Sequence, residues 1–160
     1  MKNTLIIILS VLTIGLVSCS KNTNTPQVSA AQQASIDDGL IKTYISSHTI
    51  DSVKKDSVSG IYYKITATGT GAHPTASSSV NVNYQGTLLN GNIFAPEANI
   101  ASPLADLITG WQIGVPFINS GGTIMLLLPS RYGYGDNSPS ASIPNNSVLI
   151  FTIQLISFTN

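Results

Sequence analysis

One stretch of the chain, residues 126–151, most constrains the fold. It reads LLLPSRYGYGDNSPSASIPNNSVLIF, two apolar segments separated by a loop rich in tyrosine, glycine, serine and proline. At roughly 16 residues the loop is longer than most connections in a compact domain, and such loops are usually functional or disordered. Tyr132, Tyr134 and Ile143 argue against disorder. These side chains either pack the loop onto a sheet or line a pocket. We therefore predict two buried strands flanking an ordered loop.

Composition limits the classes of function. The chain has 160 residues, 42% of them apolar, enough for the core of one domain with a short tail. Charged residues make up 9% and balance to zero. Neither a basic face for nucleic acid nor an acidic tail is expected, so we predict no nucleic-acid partner.

Residues 1–18 have the pattern of a signal peptide. Lys2 precedes an apolar run, Leu5 to Val17, that is too short for a spanning helix. The segment Leu16-Val17-Ser18-Cys19 resembles a bacterial lipobox, which implies acylation of Cys19, the sole cysteine of the chain. We expect a protein of the cell envelope, lipid-anchored and facing the periplasm or cell surface. An ordinary signal peptide that happens to contain Cys19 is the alternative.

Residues 19–34 are polar and small and are predicted to form a flexible tether. Residues 35–59 should form an N-terminal amphipathic helix and its connection. Apolar residues recur at helical spacing there: Ile36, Leu40, Ile41, Tyr44 and Ile45. Ser35 would cap the helix, and Asp37 and Asp38 would be its first-turn acids rather than a catalytic pair, since adjacent helical residues do not face each other. A monomer is favoured; dimerisation through this helix is the alternative.

From Gly60 the pattern changes to strands. Residues 61–66 are β-branched and aromatic, and 80–88 begin with strict alternation. Asn90-Gly91 predicts a hairpin, with a short return strand that ends at Pro96.

The segment that follows, residues 95–106, reads as irregular and leads into a second helical piece at 111–118, shortened by Pro116. Residues 123–128 and 147–158 should be the two buried strands. This order predicts an α+β domain of antiparallel strands with one short helix covering a face.

Few side chains suit acid–base or metal chemistry. His48, His73 and Arg131 are isolated, and the carboxylates are not clustered, so we expect neither a metal site nor a cofactor. Apolar and aromatic residues lie instead near turns and strand ends, which favours an apolar pocket that binds a ligand or peptide. Rotation about an X-Pro bond, with a barrier of about 18–20 kcal/mol, is a reaction that such a pocket can accelerate without proton transfer.

Five ordered blocks between residues 60 and 160 resemble the FKBP-type peptidyl-prolyl cis-trans isomerases. The blocks are Val82-Asn83-Tyr84-Gln85-Gly86 with Leu88, Asn90-Gly91 and Phe94; Ile108-Thr109-Gly110-Trp111; Ile124 to Pro129 with Tyr132-Gly133-Tyr134-Gly135; Ile143-Pro144-Asn145; and Leu149-Ile150-Phe151. The resemblance implies an antiparallel β half-barrel of five to six strands wrapped around one short helix.

The resemblance also implies a site that binds proline-containing polypeptides. Trp111 would be the floor of the pocket, Tyr134 would hydrogen-bond the substrate carbonyl, and Ile143 would be the lip of the loop. Catalytic roles are implied for Tyr134, Trp111, Phe94 and Phe151, and substrate-binding roles for Tyr84, Leu107, Ile108, Ile143 and Tyr132.

Two departures from the family pattern affect the predicted activity. Ala95 stands where the family has aspartate, and residues 100–104 lack the usual phenylalanines. Two functions therefore remain open: an isomerase of low activity that assists the folding of exported proteins, and a catalytically weak or inactive peptide- or partner-binding lipoprotein. A third, a purely structural envelope protein, predicts no cavity beside Trp111.

Overall fold

Within residues 28–160, six antiparallel strands form one sheet. The computed structural model describes residues 28–160. Its elements are α1 (Ala30–Ser47), β1 (Lys54–Lys55), β2 (Tyr62–Ala67), β3 (Ser79–Leu88), β4 (Ile93–Pro103), α2 (Thr109–Gly114), β5 (Thr123–Leu128) and β6 (Leu149–Thr159), with short 3-10 turns at Leu104–Asp106, Val115–Phe117 and Ser130–Tyr132. The strand order is β1-β2-β5-β6-β3-β4. The predicted α+β architecture is confirmed, with six strands.

The two strands flanking the long loop are buried, as predicted, and on both faces of the sheet where they adjoin the loop, at residues 126–128 and 149–151. β5 and β6 pair with Leu126 opposite Phe151 and Leu127 opposite Ile150. Leu126 and Phe151 belong to the core on the α2 side, whereas Leu127 and Ile150 pack with Ile41 of α1 on the other side. Successive residues of a strand face opposite sides, so a strand covered by a helix on each face needs an almost continuous apolar run.

The short helix α2 lies very close to β5 because two of its residues are glycines. A Cβ on Gly110 would come within 2.4 Å of the Leu128 side chain, and one on Gly114 within 2.6 Å of Leu126. The helix was expected at 111–118, but it starts at Thr109 and ends at Gly114. Pro116 is the reason for the early end, since it falls in a separate 3-10 turn where its missing N–H is tolerated.

The N-terminal helix begins earlier than predicted. α1 starts at Ala30, capped by Ser29, whose hydroxyl accepts from the Gln32 N–H while the Gln32 side chain accepts from the Ser29 N–H. Ser35 is therefore not the cap, and residues 30–34, assigned to the tether, are helical. This reciprocal capping box satisfies two of the free backbone donors at the helix start.

The sequence had predicted that Asp37 and Asp38 are acids of the first helical turn, and this prediction is wrong. They lie two turns inside α1, and both face the body of the protein. Asp37 is fully buried, and Asp38 accepts a hydrogen bond of 2.8 Å from the Tyr62 hydroxyl of β2. Two lysines, Lys42 and Lys55, also bind Asp38 and hold the pKa of its carboxyl well below the usual range. The adjacent acids therefore attach the helix to the domain.

The return strand of the hairpin is longer than predicted. β4 runs from Ile93 to Pro103, so it neither stops at Pro96 nor gives way to irregular structure from Ala95. It is the last strand of the sheet, and Pro96 falls between Ala95 and Ala98, where the register against β3 shifts. Proline is tolerated on an edge strand and at bulges because no ladder hydrogen bond is lost there.

Residues 1–27 lie outside the described part of the chain, and with them the predicted signal peptide, Cys19 and most of the tether. Within residues 28–160, none of the helices has the length and apolar character needed to cross a membrane.

Candidate functional site

A cavity of about 180 Å³ opens on the α2 side of the sheet. Strands β3, β4 and β6, helix α2 and the long loop all contribute to it. The lining residues are Tyr84, Ile100, Leu107, Ile108, Trp111, Tyr134 and Phe151. A liquid water occupies about 30 Å³, so the cavity has room for one small ring. Its presence beside Trp111 contradicts the purely structural reading, which required neighbouring side chains to fill this space.

Trp111 forms the buried side of the cavity. Its side chain is 3% exposed. It projects from α2, which can approach β5 closely because Gly110 and Gly114 have no side chains. Two rings stand almost perpendicular to the indole: Tyr84 at 5.0 Å and 79°, and Phe151 at 5.3 Å and 88° between centroids. Edge-to-face pairs of this kind stabilise beyond the area they bury, by about 0.5–1.5 kcal/mol each. The arrangement is a rigid aromatic floor.

The indole N–H of Trp111 is buried and has no hydrogen-bond acceptor among residues 28–160. The faces of the two perpendicular rings offer only a weak N–H···π alternative. Leaving a buried donor unpaired costs about 1–3 kcal/mol. An unpaired donor at this position calls for an explanation, such as a functional role of the site or a bound water.

Tyr134 brings a hydroxyl to the rim of the cavity. It is half-buried on the long loop, between Gly133 and Gly135. Burial, and to a lesser degree the neighbouring Tyr84, raises the pKa of the Tyr134 phenol above its ordinary value. The hydroxyl donates no hydrogen bond within the described residues, so at neutral pH it is a protonated donor available to a ligand.

Six of the nine residues assigned to the site from the sequence line the cavity: Tyr84, Leu107, Ile108, Trp111, Tyr134 and Phe151. The other three lie behind the wall. Phe94 stacks edge-to-face on Phe151 at 5.5 Å, in space left open by a glycine of β3. Ile143, 5% exposed, is part of the core beneath the loop. The Tyr132 hydroxyl instead donates to the Ser59 carbonyl at 2.8 Å.

The sequence reading missed Ile100, which lines the cavity from β4. It pairs with Val82 across the sheet, and Val82 is fully buried on the same side. Residues 95–106 were predicted to be irregular, so no strand was expected to carry Ile100 to the cavity.

The cavity contains no ionisable group other than tyrosine. No histidine, carboxylate or basic side chain lines it in the part of the chain from 28 onwards. The same residues contain no cluster of three or more potential metal ligands. Chemically, the site can therefore bind a small apolar ring, exclude water from it and donate one hydrogen bond at the rim.

Comparison with known proteins gives a consistent result. A family model described as FKBP-type peptidyl-prolyl cis-trans isomerase matches residues 70–156. The FKBP-type peptidyl-prolyl cis-trans isomerase FkpA of Buchnera aphidicola subsp. Schizaphis graminum is 39% identical over 107 residues, which cover 64% of this chain and 42% of that protein. The outer membrane protein MIP of Legionella longbeachae is 37% identical over 103 residues, covering 62% and 44% respectively.

Solved structures agree on the fold. FkpA from Escherichia coli superposes with a TM-score of 0.65 at 30% identity, covering 81% of this chain and 62% of that one. A peptidyl-prolyl cis-trans isomerase from Pseudomonas syringae pv. tomato superposes with a TM-score of 0.67 at 25% identity, covering 82% and 97%. The chain spans about two fifths of the length of the curated relatives it matches. Since the family model covers more than half of the chain, and the fold and the aromatic cavity agree with it, the protein belongs to the FKBP-type peptidyl-prolyl cis-trans isomerase family.

Proposed function

We propose that the protein is a peptidyl-prolyl cis-trans isomerase acting on proline-containing polypeptides. The observation that carries this proposal is the pairing of an aromatic cavity, floored by Trp111, with a protonated and unpartnered hydroxyl at its rim, that of Tyr134. A proline ring is a small apolar group of the kind that the cavity admits. The hydroxyl is placed to donate to a carbonyl of the bound peptide.

The proposed mechanism needs no proton transfer. Amide resonance is the source of the barrier of about 18–20 kcal/mol to X-Pro rotation, and water stabilises the planar, polar form. Moving the bond next to Trp111 and Phe151 replaces that water with apolar side chains. A hydrogen bond from Tyr134 that is stronger to the twisted form than to either planar isomer lowers the barrier further, and each 1.4 kcal/mol of such difference accelerates rotation about tenfold.

We infer that turnover is low. The β4 side of the cavity contributes only Ile100, and Ala95 provides no acceptor where the family has a carboxylate. Fewer contacts mean weaker binding of the peptide, since a fully buried large apolar side chain contributes about 1.5–3 kcal/mol.

The proposed substrates are exported proteins, and the proposed location is the cell envelope, with a lipid anchor at Cys19. The signal-like pattern of residues 1–19 supports this, as does a relative whose name places it in the outer membrane. Labelling cells with a radioactive fatty acid tests the anchor: wild type should take up label and Cys19→Ser should not. Label retained by Cys19→Ser would refute it.

Refolding of a protein limited by a slow X-Pro step tests the activity, since that step takes tens of seconds or longer uncatalysed. Micromolar protein should accelerate it, and Tyr134→Phe should reduce the acceleration about threefold to tenfold, the range for one net hydrogen bond. Tyr44→Phe on α1 is the matched control, because it removes a phenol hydroxyl remote from the cavity and should leave the rate unchanged. Absence of acceleration by the wild type would refute the proposal.

The second candidate is a peptide-binding module with little or no turnover, which the sparse β4 side of the cavity favours. Trp111 is the only tryptophan of the chain, so its fluorescence reports binding at the site directly. A proline peptide that changes this fluorescence while refolding is not accelerated would favour the binding module over the isomerase.

A further inference from the structure

A buried carboxylate connects the N-terminal helix to the loop that carries Tyr134. Asp37 of α1 is fully buried. Its Oδ2 accepts two hydrogen bonds from Ser130, one from the backbone N–H at 2.8 Å and one from the hydroxyl at 2.7 Å. Its Oδ1 accepts a third from the Gln33 side chain at 2.8 Å. Two of its three bonds therefore hold Ser130, the second residue after β5.

The carbonyl of Ser130 continues this connection to the catalytic tyrosine. It accepts from the N–H of Gly133 at 3.0 Å and from the N–H of Gly135 at 2.9 Å. These glycines are the two neighbours of Tyr134 along the chain. The Tyr132–Gly133 and Tyr134–Gly135 peptide groups, one before and one directly after Tyr134, thus converge on one carbonyl. The residue of that carbonyl, Ser130, is held through its N–H and its hydroxyl by Asp37.

Docking of the helix does not explain why this carboxylate is buried. α1 is held to the sheet by Ile41, which is fully buried against Tyr62, Leu127 and Val148, and by the bond between Asp38 and the Tyr62 hydroxyl. Burying a carboxylate is costly unless hydrogen bonds compensate it. An apolar residue at position 37 could pack the helix, but it would leave the buried N–H and hydroxyl of Ser130 without an acceptor. The specific consequence of a carboxylate there is therefore the orientation of Ser130.

The residues that follow Ser130 are held by other hydrogen bonds, and none of these bonds orients Ser130 itself. Both Arg131 and Tyr132 donate to the Ser59 carbonyl, each at 2.8 Å. They anchor the side chains that follow Ser130 but make no bond to its N–H.

We propose that Asp37 is a positioning residue for the isomerase site: through Ser130 it sets the place of the Tyr134 hydroxyl over the cavity, so that helix α1 is part of the functional unit. The inference rests on the proposed function of that cavity. Asp37 lies 93 positions before Ser130 in the chain. The proposal gives it a role in turnover, although it does not contact the substrate.

The test compares two variants of α1 in the full chain. Asp37→Ala removes the bonds to Ser130, whereas Ile41→Ala weakens the packing of the helix and leaves those bonds in place. Amide hydrogen exchange at Gly133 and Gly135 should accelerate about tenfold in Asp37→Ala and stay near wild type in Ile41→Ala, even though Ile41→Ala lowers Tm. The kcat/KM for a proline peptide should fall about threefold to tenfold in Asp37→Ala only.

Three milder substitutions, which remove the hydrogen bonds of Asp37 in part, keep the proposal testable if Asp37→Ala fails to fold. Asp37→Asn keeps one acceptor for Ser130 and should retain most of the activity, while Ser130→Ala keeps the N–H bond and should be intermediate. Gln33→Ala removes the third bond without touching the loop and should match wild type.

The outcomes separate this inference from the proposed function. Wild-type exchange at both glycines in Asp37→Ala would overturn the inference, as would faster exchange with unchanged kcat/KM. If the wild type turns over no peptide, the proposed function fails, and the inference is then tested by peptide affinity, read from Trp111 fluorescence. Affinity equal in Asp37→Ala and wild type would overturn it in that case.

Discussion

The two sides of the cavity are built differently. On one side are α2 and the long loop: Trp111 is buried between two perpendicular rings, and Tyr134 is held through the hydrogen bonds of Ser130. On the other side is β4, an edge strand with a proline in its middle and a single lining residue, Ile100. Side chains on the first side are mostly buried in the core, whereas on the second side Phe94 and Ile100 pack against the core and are only partly buried.

This difference bears on the departure from the family pattern that the resemblance implies at Ala95. A change at Trp111 would open a cavity in the main core, so folding itself resists it. Ala95 and its neighbours lie on an exposed edge, where replacing one short side chain by another barely alters the buried area. Binding strength can therefore be lost on the β4 side without loss of the fold.

The largest expected effect comes from truncating one residue on each side. Trp111→Ala should lower the free energy of unfolding by about 3–5 kcal/mol and abolish turnover, since it removes the floor and its two edge-to-face pairs. Ile100→Ala should cost about 1 kcal/mol or less, because the side chain is half-buried, and should act mainly by raising KM. For each variant, denaturant unfolding measures the loss of stability, and peptide kinetics measures the change in kcat and KM. Equal loss of stability in the two variants would contradict the contrast.

A smaller effect is expected from adding a carboxylate to the β4 side. Ala95→Asp introduces an acceptor on a side that has none, and charge-assisted hydrogen bonds are stronger than neutral ones. Peptide affinity should rise about threefold to tenfold, with little change in Tm at this half-exposed position. Ala101→Asp, exposed on the same strand but on the face opposite Ile100, is the control and should leave affinity unchanged. Unaltered affinity in Ala95→Asp would show that its absence is not what weakens the site.

The smallest effect is expected from pH. Neither side of the cavity presents a histidine or carboxylate within residues 28–160, and burial raises the pKa of Tyr134 above the ordinary phenol value of 10.0. A raised pKa keeps the hydroxyl protonated as pH increases, so the donor is present at all pH values below 10.0 and is lost only above it. The kcat/KM should be constant from about pH 6 to 9; a bell-shaped profile in that range would indicate an acid or base that the proposed mechanism lacks.

Most elements on the side of the cavity formed by α2 and the long loop could be predicted from the pattern of apolar residues along the chain. The apolar segments around the loop became β5 and β6 because buried central strands need continuous apolar runs, and α2 was located within a few residues. The β4 side was misjudged at Pro96. Proline ends a central strand but not an edge strand, and which strand lies at the edge depends on the order of all six.

By itself, the sequence determined the chain order of the main strands and helices, because this follows from periodicity and side-chain type. The resemblance to the family, carried by its ordered blocks, implied the aromatic residues that line most of the cavity. Only the tertiary structure decided that Asp37 lies buried against Ser130, that Ile100 completes the cavity and that Tyr132 turns away to Ser59. Each of these depends on contacts between residues distant in the chain. Local propensity carries no information about such contacts, since the partner is chosen by packing of the whole sheet.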